Sequence, residues 1–260
     1  MQRLRFSANL GFLWNDRPLP DAIRAAHMAG FDAVELHWPY ATPVADVRAA
    51  LHDTGLPVLG LNTIRGNVAA GEMGLSALPG REPEAREAID AAIDYAGAIL
   101  CRNVHVMAGR ADGEEARTTF VDNLAYAAEK ARSAGIGLLV EPLNIHDAPG
   151  YFLNNCADAA SIIADVGGDA VRIMFDCYHM GRMGRDILAE FRAHRDRIGH
   201  VQFAAVPDRA EPDHGDVDYA TLLPELAKAG YGGFLGAEYK PRARVEEGLS
   251  WLRGFGVTGR

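Results

Sequence analysis

Eight times in 260 residues a short apolar segment rich in β-formers gives way to a longer, Ala-rich segment with helical spacing. No other feature limits the possible folds as tightly. Strands are predicted over Leu4–Asn9, Ala33–His37, Val58–Asn62, Asn103–Val106, Gly137–Glu141, Val171–Asp176, His200–Ala204 and Gly233–Glu238. Helices are predicted over Leu19–Ala29, Val44–Asp53, Pro83–Ile99, Glu114–Ala134, Ala157–Val166, Arg185–Arg197, Tyr219–Ala229 and Arg242–Phe255, with Gly30, Gly55, Gly135, Gly167 and Gly230 as C-terminal stops. A strand followed by a helix returns the chain to its starting end, so the next strand runs parallel. Eight such units match a closed (β/α)8 TIM barrel better than an open sheet. A doubly wound sheet would show a glycine-rich turn after its first strand, and Asn9-Leu10-Gly11-Phe12 carries no G-x-G-x-x-G. No linker or composition break divides the chain, so a single barrel domain over residues 1–260 is expected. The longest non-periodic stretch, Gly66 to Gly80, reads as an active-site loop or lid.

Composition narrows the function. At 48% hydrophobic and 23% charged the chain has the make-up of an ordinary globular protein. A formal net charge of −9 argues against a nucleic-acid binder, which needs a basic face. No apolar run reaches the roughly 18 residues of a membrane span, and no secretory signal opens the chain, so a soluble, cytoplasmic protein is expected. Three cysteines, Cys101, Cys156 and Cys177, argue against a disulfide framework or a structural zinc site.

In a barrel of this kind the chemistry sits at the C-terminal ends of the strands. The polar residues there are Asn9, Glu35 with His37, Asn62, His105, Glu141, Asp176, Gln202 and Glu238. A single strand-end acid commonly just meets water. Glu141, Asp176, Gln202 and Glu238 fall on four successive strands, and three carboxylates with one amide oxygen suit Mg²⁺ or Mn²⁺ better than zinc. Without a cation such carboxylates would repel and take up protons. His179, three residues after Asp176, is placed to orient substrate oxygens, and His105 is a weaker candidate for the same site. Arg65, Arg209 and Lys240 follow strands three, seven and eight, where cations suit an anionic substrate. Trp14, Trp38 and Tyr40 lie in loops at the same end and are candidates to wall a pocket. His214 is weaker still, and Cys177 has no recognisable base partner and is rejected as a nucleophile.

At these residues the sequence resembles the hydroxypyruvate isomerase family, within the xylose-isomerase-like barrels. The resemblance rests on RFSANL, AVELHWPY, GEMGLSALPGREPEAR, NVHVMAG, LVEPLN, FDCYH, HVQFA, PDRAEPDHGDVDY and GAEYKP, and runs from about Arg5 to Trp251. The ALPGRE and EYKP segments are the most specific of these. The resemblance implies a divalent metal, Mg²⁺ or Mn²⁺, on Glu141, Asp176, Gln202 and Glu238, with Glu141 and Glu238 also serving as the acid/base pair. It implies conversion of hydroxypyruvate to 2-hydroxy-3-oxopropanoate, or the related isomerisation of a 2-oxotetronate, with a small α-keto acid as partner and neither nucleic acid nor membrane. One departure is Asp216, where many members carry Glu, and it bears on the size preference of the pocket.

Moving a carbonyl between adjacent carbons requires lifting a proton from one and delivering it to the other, for which paired carboxylates are suited. Lys240 or Arg65 would take the substrate carboxylate and His179 its oxygens. The competing readings are a ketose 3-epimerase, an abasic-site endonuclease and a non-catalytic sugar-acid binding barrel. Epimerases of this superfamily usually place His where this chain has Gln202, an endonuclease would want several zinc-binding histidines and a basic rim, and a barrel without catalysis would be expected to have lost one of the four metal candidates. On sequence alone the choice between hydroxypyruvate and a 2-oxotetronate stays open, as does assembly into a homo-oligomer.

Overall fold

The computed structural model describes residues 3–259; positions 1, 2 and 260 of the expected domain lie outside them. The strands are β1 (Phe6–Asn9), β2 (Ala33–Glu35), β3 (Leu61–Asn62), β4 (Asn103–His105), β5 (Gly137–Val140), β6 (Val171–Asp176), β7 (Ile198–Phe203) and β8 (Leu235–Ala237). The helices are α1 (Leu19–Met28), α2 (Val44–Thr54), α3 (Glu82–Ala98), α4 (Gly113–Ala134), α5 (Cys156–Val166), α6 (Cys177–Arg182), α7 (Ile187–His194), α8 (Tyr219–Lys228) and α9 (Ser250–Gly254). The sheet has eight strands in the order β2-β1-β8-β7-β6-β5-β4-β3, which is a parallel (β/α)8 barrel opened between β2 and β3. That seam is bridged one step early, where Val34 pairs in parallel with Val58. The predicted strand Val58–Asn62 is therefore two pieces, a bridge at Val58 and β3 proper.

The chain forms two compact units, one from Met1–Leu59, Asp176–Arg195 and His200–Arg260, the other from Gly60–Phe175 and Asp196–Gly199. In the first, β1 pairs with β2 and β8, and β8 with β7. Side chains alternate across a strand. On β1 this puts Phe6 and Ala8 on one face and Ser7 and Asn9 on the other. Phe6 joins an aromatic cluster with Trp251 at 5.4 Å and Phe203 at 6.1 Å between ring centroids, Phe203 and Trp251 being 5.5 Å apart. The opposite face is polar: the register sets Ser7, Gly236 and Gln202 side by side. A polar residue in the interior of a buried strand is costly unless partnered, so this row marks a place built for something other than packing.

Two predicted helices differ. Where the sequence predicts Arg185–Arg197 alone, α6 precedes it, begun by Asp176 itself: its Oδ1 accepts from the Tyr178 amide at 2.9 Å as an N-cap. Arg242–Phe255 is no continuous helix but a 3-10 turn, Val245–Gly248, followed by α9. Glu211, 1% exposed, accepts from the Arg242 amide at 3.1 Å and from Arg242 Nε at 2.7 Å, which holds the chain just before that turn.

In the second unit β3, β4, β5 and β6 pair in sequence, with α3 against α4 and α4 against α5. The Gly66-to-Gly80 stretch is tied down within this unit. Asn67 caps a 3-10 turn over Val68–Ala70, and Glu72 accepts from the Asn67 amide at 2.6 Å and pairs with Arg81. Gly74 sits at φ 127°, and a Cβ there would fall 2.5 Å from the Met107 carbonyl oxygen. The glycine and the Glu72–Arg81 pair give the GEMGLSALPGRE segment its physical reason. Among the described residues no helix is long and apolar enough to cross a membrane.

Candidate active site

Glu238 directly follows β8 and is 6% exposed. Its Oε1 accepts from Asn9 Nδ2 at 3.2 Å and lies 2.8 Å from His37 Nε2, while Oε2 accepts from Arg209 at 2.9 Å. Burial alone would raise this carboxyl, but the charge of Arg209 and the hydrogen bond and charge of His37 outweigh it and bring it to about 2. An ionised carboxylate only accepts, so His37 donates through Nε2.

Asp176 ends β6 and is fully buried. Its Oδ2 has no hydrogen-bond donor among the described residues, with Arg209 at 3.7 Å and His179 Nε2 at 3.6 Å. Burial pushes this carboxyl up to about 7; Arg209 pulls against it, and the neighbouring Glu238 charge adds to the rise. Two buried acids in one unit are thus driven in opposite directions.

Arg209 touches both. It adopts φ 59°, a left-handed conformation that costs a non-glycine residue free energy. Its guanidinium sits 4.9 Å from the ring centroids of both Phe12 and Tyr178. Both rings attract the cation through their faces and limit where the guanidinium can move.

Gln202 on β7 donates Nε2 to Glu35 Oε2 at 2.7 Å, and its Oε1 is buried without a hydrogen-bond donor among the described residues. Lys240 is exposed; its amide donates to the Arg209 carbonyl at 2.7 Å, and it lines a cavity of about 460 Å³ with Phe12, Arg17 and Arg244. A second cavity, about 250 Å³, opens beside His37 and is walled by Leu10, Gly11, Trp14 and Trp38.

The second unit carries the remaining sequence candidates. Glu141 follows β5, 6% exposed, with its Oε2 3.7 Å from His105 Nδ1. His105 Nδ1 is also 3.3 Å from Asn62 Oδ1. Burial, and then the Glu141 charge, raise the Tyr151 phenol, whose oxygen accepts from the Ala108 amide at 2.9 Å. Arg65 lies in the loop after β3, and burial lowers its guanidinium.

The structure therefore groups Asp176, His179, Arg209 and Glu238, sets Gln202 against Glu35, and joins Glu141 to His105. Three residues of strand-end character to which the sequence assigns no role enter these groups, Asn9 and His37 beside Glu238 and Glu35 beside Gln202. Each belongs to the strand-end polar row and is legible there. His200, 3.0 Å from Glu35 Oε1, was not singled out, although it shares a strand face with Gln202 two residues on.

His37 owes its position to Gly11: a Cβ on that residue would lie 1.9 Å from His37 Nδ1. Gly11→Ala is expected to push the ring off Glu238, with an overpacking cost of about 1–3 kcal/mol. A variant with unchanged melting temperature and a wild-type pH–rate profile would show that the ring is not held there.

A family model described as "Xylose isomerase-like TIM barrel" matches residues 23–255. The 2-oxo-tetronate isomerase of Cupriavidus necator is 42% identical over 96% of this chain and 98% of its own length. The hydroxypyruvate isomerase of Escherichia coli K12 is 36% identical over 96% and 98%. Among solved structures, one from Brucella melitensis titled as an AP endonuclease of family 2 superposes with a TM-score of 0.92 at 38% identity, covering 96% of this chain and 98% of that one.

Proposed function

The chain belongs to the xylose isomerase-like TIM barrel family and is an isomerase of the kind that acts on small keto acids; given that membership, we propose that it interconverts hydroxypyruvate and 2-hydroxy-3-oxopropanoate, or carries out the matching step on a 2-oxotetronate. The observation that carries this reading is the buried strand-end cluster in which Arg209 lies 2.9 Å from Glu238 and 3.7 Å from Asp176, while Asn9 and His37 meet the other Glu238 oxygen.

The donor set fits a hard divalent cation. Asp176 Oδ2 and Gln202 Oε1 are buried oxygens without donors among the described residues. Glu141, Asp176 and His179 are each buried and of the kinds that ligate metal ions. Glu141, Asp176, Gln202 and Glu238 would hold Mg²⁺ or Mn²⁺, since the barrel fold gathers the C-terminal ends of its strands at one face. When bound, such an ion supplies positive charge to the two substrate oxygens as negative charge builds on them.

The protein's own residues do the rest. One glutamate takes a proton from C3 of hydroxypyruvate and the pair returns one to C2, while the hydroxyl proton passes from the C3 oxygen to the C2 oxygen through an enediolate. We assign these roles to Glu238 and Glu141. His37 and Asn9 fix the Glu238 carboxylate, and His179 and His105 orient substrate oxygens. Arg209, with Lys240 and Arg65, takes the substrate carboxylate. The test is isomerisation by metal-stripped protein with hydroxypyruvate, 2-oxotetronates and free ketoses offered side by side, without Mn²⁺ and again once it is returned. Activity on an α-keto acid that returns with the ion is expected. Turnover of free ketoses alone would discard the keto-acid reading.

A further inference from the structure

Glu35 has no part in the chemistry just described, yet it is a buried acid with three polar residues against its carboxylate. Its Oε1 accepts from Ser7 Oγ at 2.5 Å and lies 3.0 Å from His200 Nε2, and its Oε2 accepts from Gln202 Nε2 at 2.7 Å. The carboxylate on β2 reaches Gln202 on β7 past β1 and β8, the two strands between them in the sheet order. The register explains how. Ser7, Gly236 and Gln202 stand in one row, and the first two are small. A Cβ on Gly236 would fall 2.4 Å from Glu35 Oε1 and 2.8 Å from Gln202 Cγ. The missing side chain at Gly236 is the space that Glu35 occupies.

A primary amide has two nearly isosteric ends, so packing alone cannot decide which one Gln202 turns toward the site. An ionised carboxylate decides it, because it accepts and never donates. We propose that Glu35 is a positioning residue: it captures the Gln202 amide nitrogen and so fixes the Gln202 oxygen as the acceptor offered to the site. The charge at position 35 does this, since a neutral amide there would hydrogen-bond either end of Gln202. The inference rests on the reading of Gln202 as a metal-facing group, and the tests separate the two.

Glu35→Gln in the full-length protein is the first test, read by Mn²⁺ affinity and by the side-chain ¹⁵N–¹H resonances of Gln202, assigned from their absence in Gln202→Glu. The wild type should show Gln202 amide protons shifted by the carboxylate and slow to exchange. Glu35→Gln should lose both features and weaken Mn²⁺ binding by about 10–100-fold, the range for removing a group that orients a ligand. In the background of Gln202→Ala the same substitution should add no further loss, whereas a merely structural role would add its effect in full. Gly236→Ala, which keeps the charge but displaces it, should weaken Mn²⁺ in the same direction and stands in should Glu35→Gln not fold. Gln202 protons that are unshifted and exchange freely in the wild type would overturn the proposal, as would additive losses in the double variant. Shifted, protected protons in a protein that binds no Mn²⁺ would uphold the role of Glu35 and sink the metal reading instead.

Discussion

Glu238→Gln is expected to lower kcat on an α-keto acid by about 10³-fold, within the range of a general acid/base group. The amide is close to the carboxylate in shape but cannot take up a proton in the working pH range. It also meets the wrong partners, because Asn9, His37 and Arg209 all direct donors at this position, and an NH₂ placed among them repels at least one. Arg209 would be left as a buried cation without its nearest anion, so a fall in melting temperature should accompany the loss of rate. Steady-state kinetics with saturating Mn²⁺, alongside a melting curve, separates the two effects. A folded Glu238→Gln protein that binds Mn²⁺ and turns over at the wild-type rate would remove Glu238 from the proton-transfer role.

The second large effect is on stability against pH. Asp176 has a folded-state value of about 7 against an ordinary 3.8, so the folded protein holds a proton that the unfolded chain has released. Its contribution is fully present below about pH 4 and is lost as pH rises toward 7. Glu238 runs the other way. Drawn from 4.5 to about 2, it contributes stability that is present above its ordinary value and lost only as pH falls through 2. Between pH 5 and 7, then, Asp176 alone of the pair sets the slope. The part of this rise that falls between pH 5 and 7 corresponds to at most about 3 kcal/mol at 1.36 kcal/mol per pKa unit, and for a chain of this length to a fall of about 5–10 °C in melting temperature. Metal-free protein should lose that stability between pH 5 and 7.5. Saturating Mn²⁺ should restore most of it at pH 7.5 and little at pH 5, because an ion bound to Asp176 favours the ionised carboxylate. A melting temperature that is flat over this interval in the absence of metal, or raised equally by Mn²⁺ at both pH values, would contradict the assignment of Asp176.

Much of this is legible in the order of residues. The eightfold alternation dictates a parallel barrel, since helical and strand periods are local properties of the chain and a strand–helix repeat has one compact solution. The same logic places Asp176, Gln202 and Glu238 at strand ends, where that fold gathers polar groups. Local pattern is weaker where side chains from elsewhere act on the backbone. Arg242–Phe255 has the composition of a helix, but Glu211, thirty-one positions from Arg242, holds its amide and side chain, and regular turns begin only at Val245. Likewise α6 exists because the Asp176 side chain caps it, a use for that residue that its reading as a metal ligand does not suggest.

The fold, the family resemblance and the kind of residue at each strand end thus follow from the chain's own pattern. The protonation and aim of those residues are settled only when the chain is folded. Asp and Glu at strand ends look alike in sequence, yet Arg209 and His37 draw Glu238 down while burial drives Asp176 up, and Glu35, through a gap left by Gly236, turns the Gln202 amide. These differences are set by distances of about 3 Å between groups as many as 229 positions apart, as between Asn9 and Glu238. Electrostatic interaction depends on separation in space and on the loss of water around the charges, and neither quantity is written in the succession of residues along the chain.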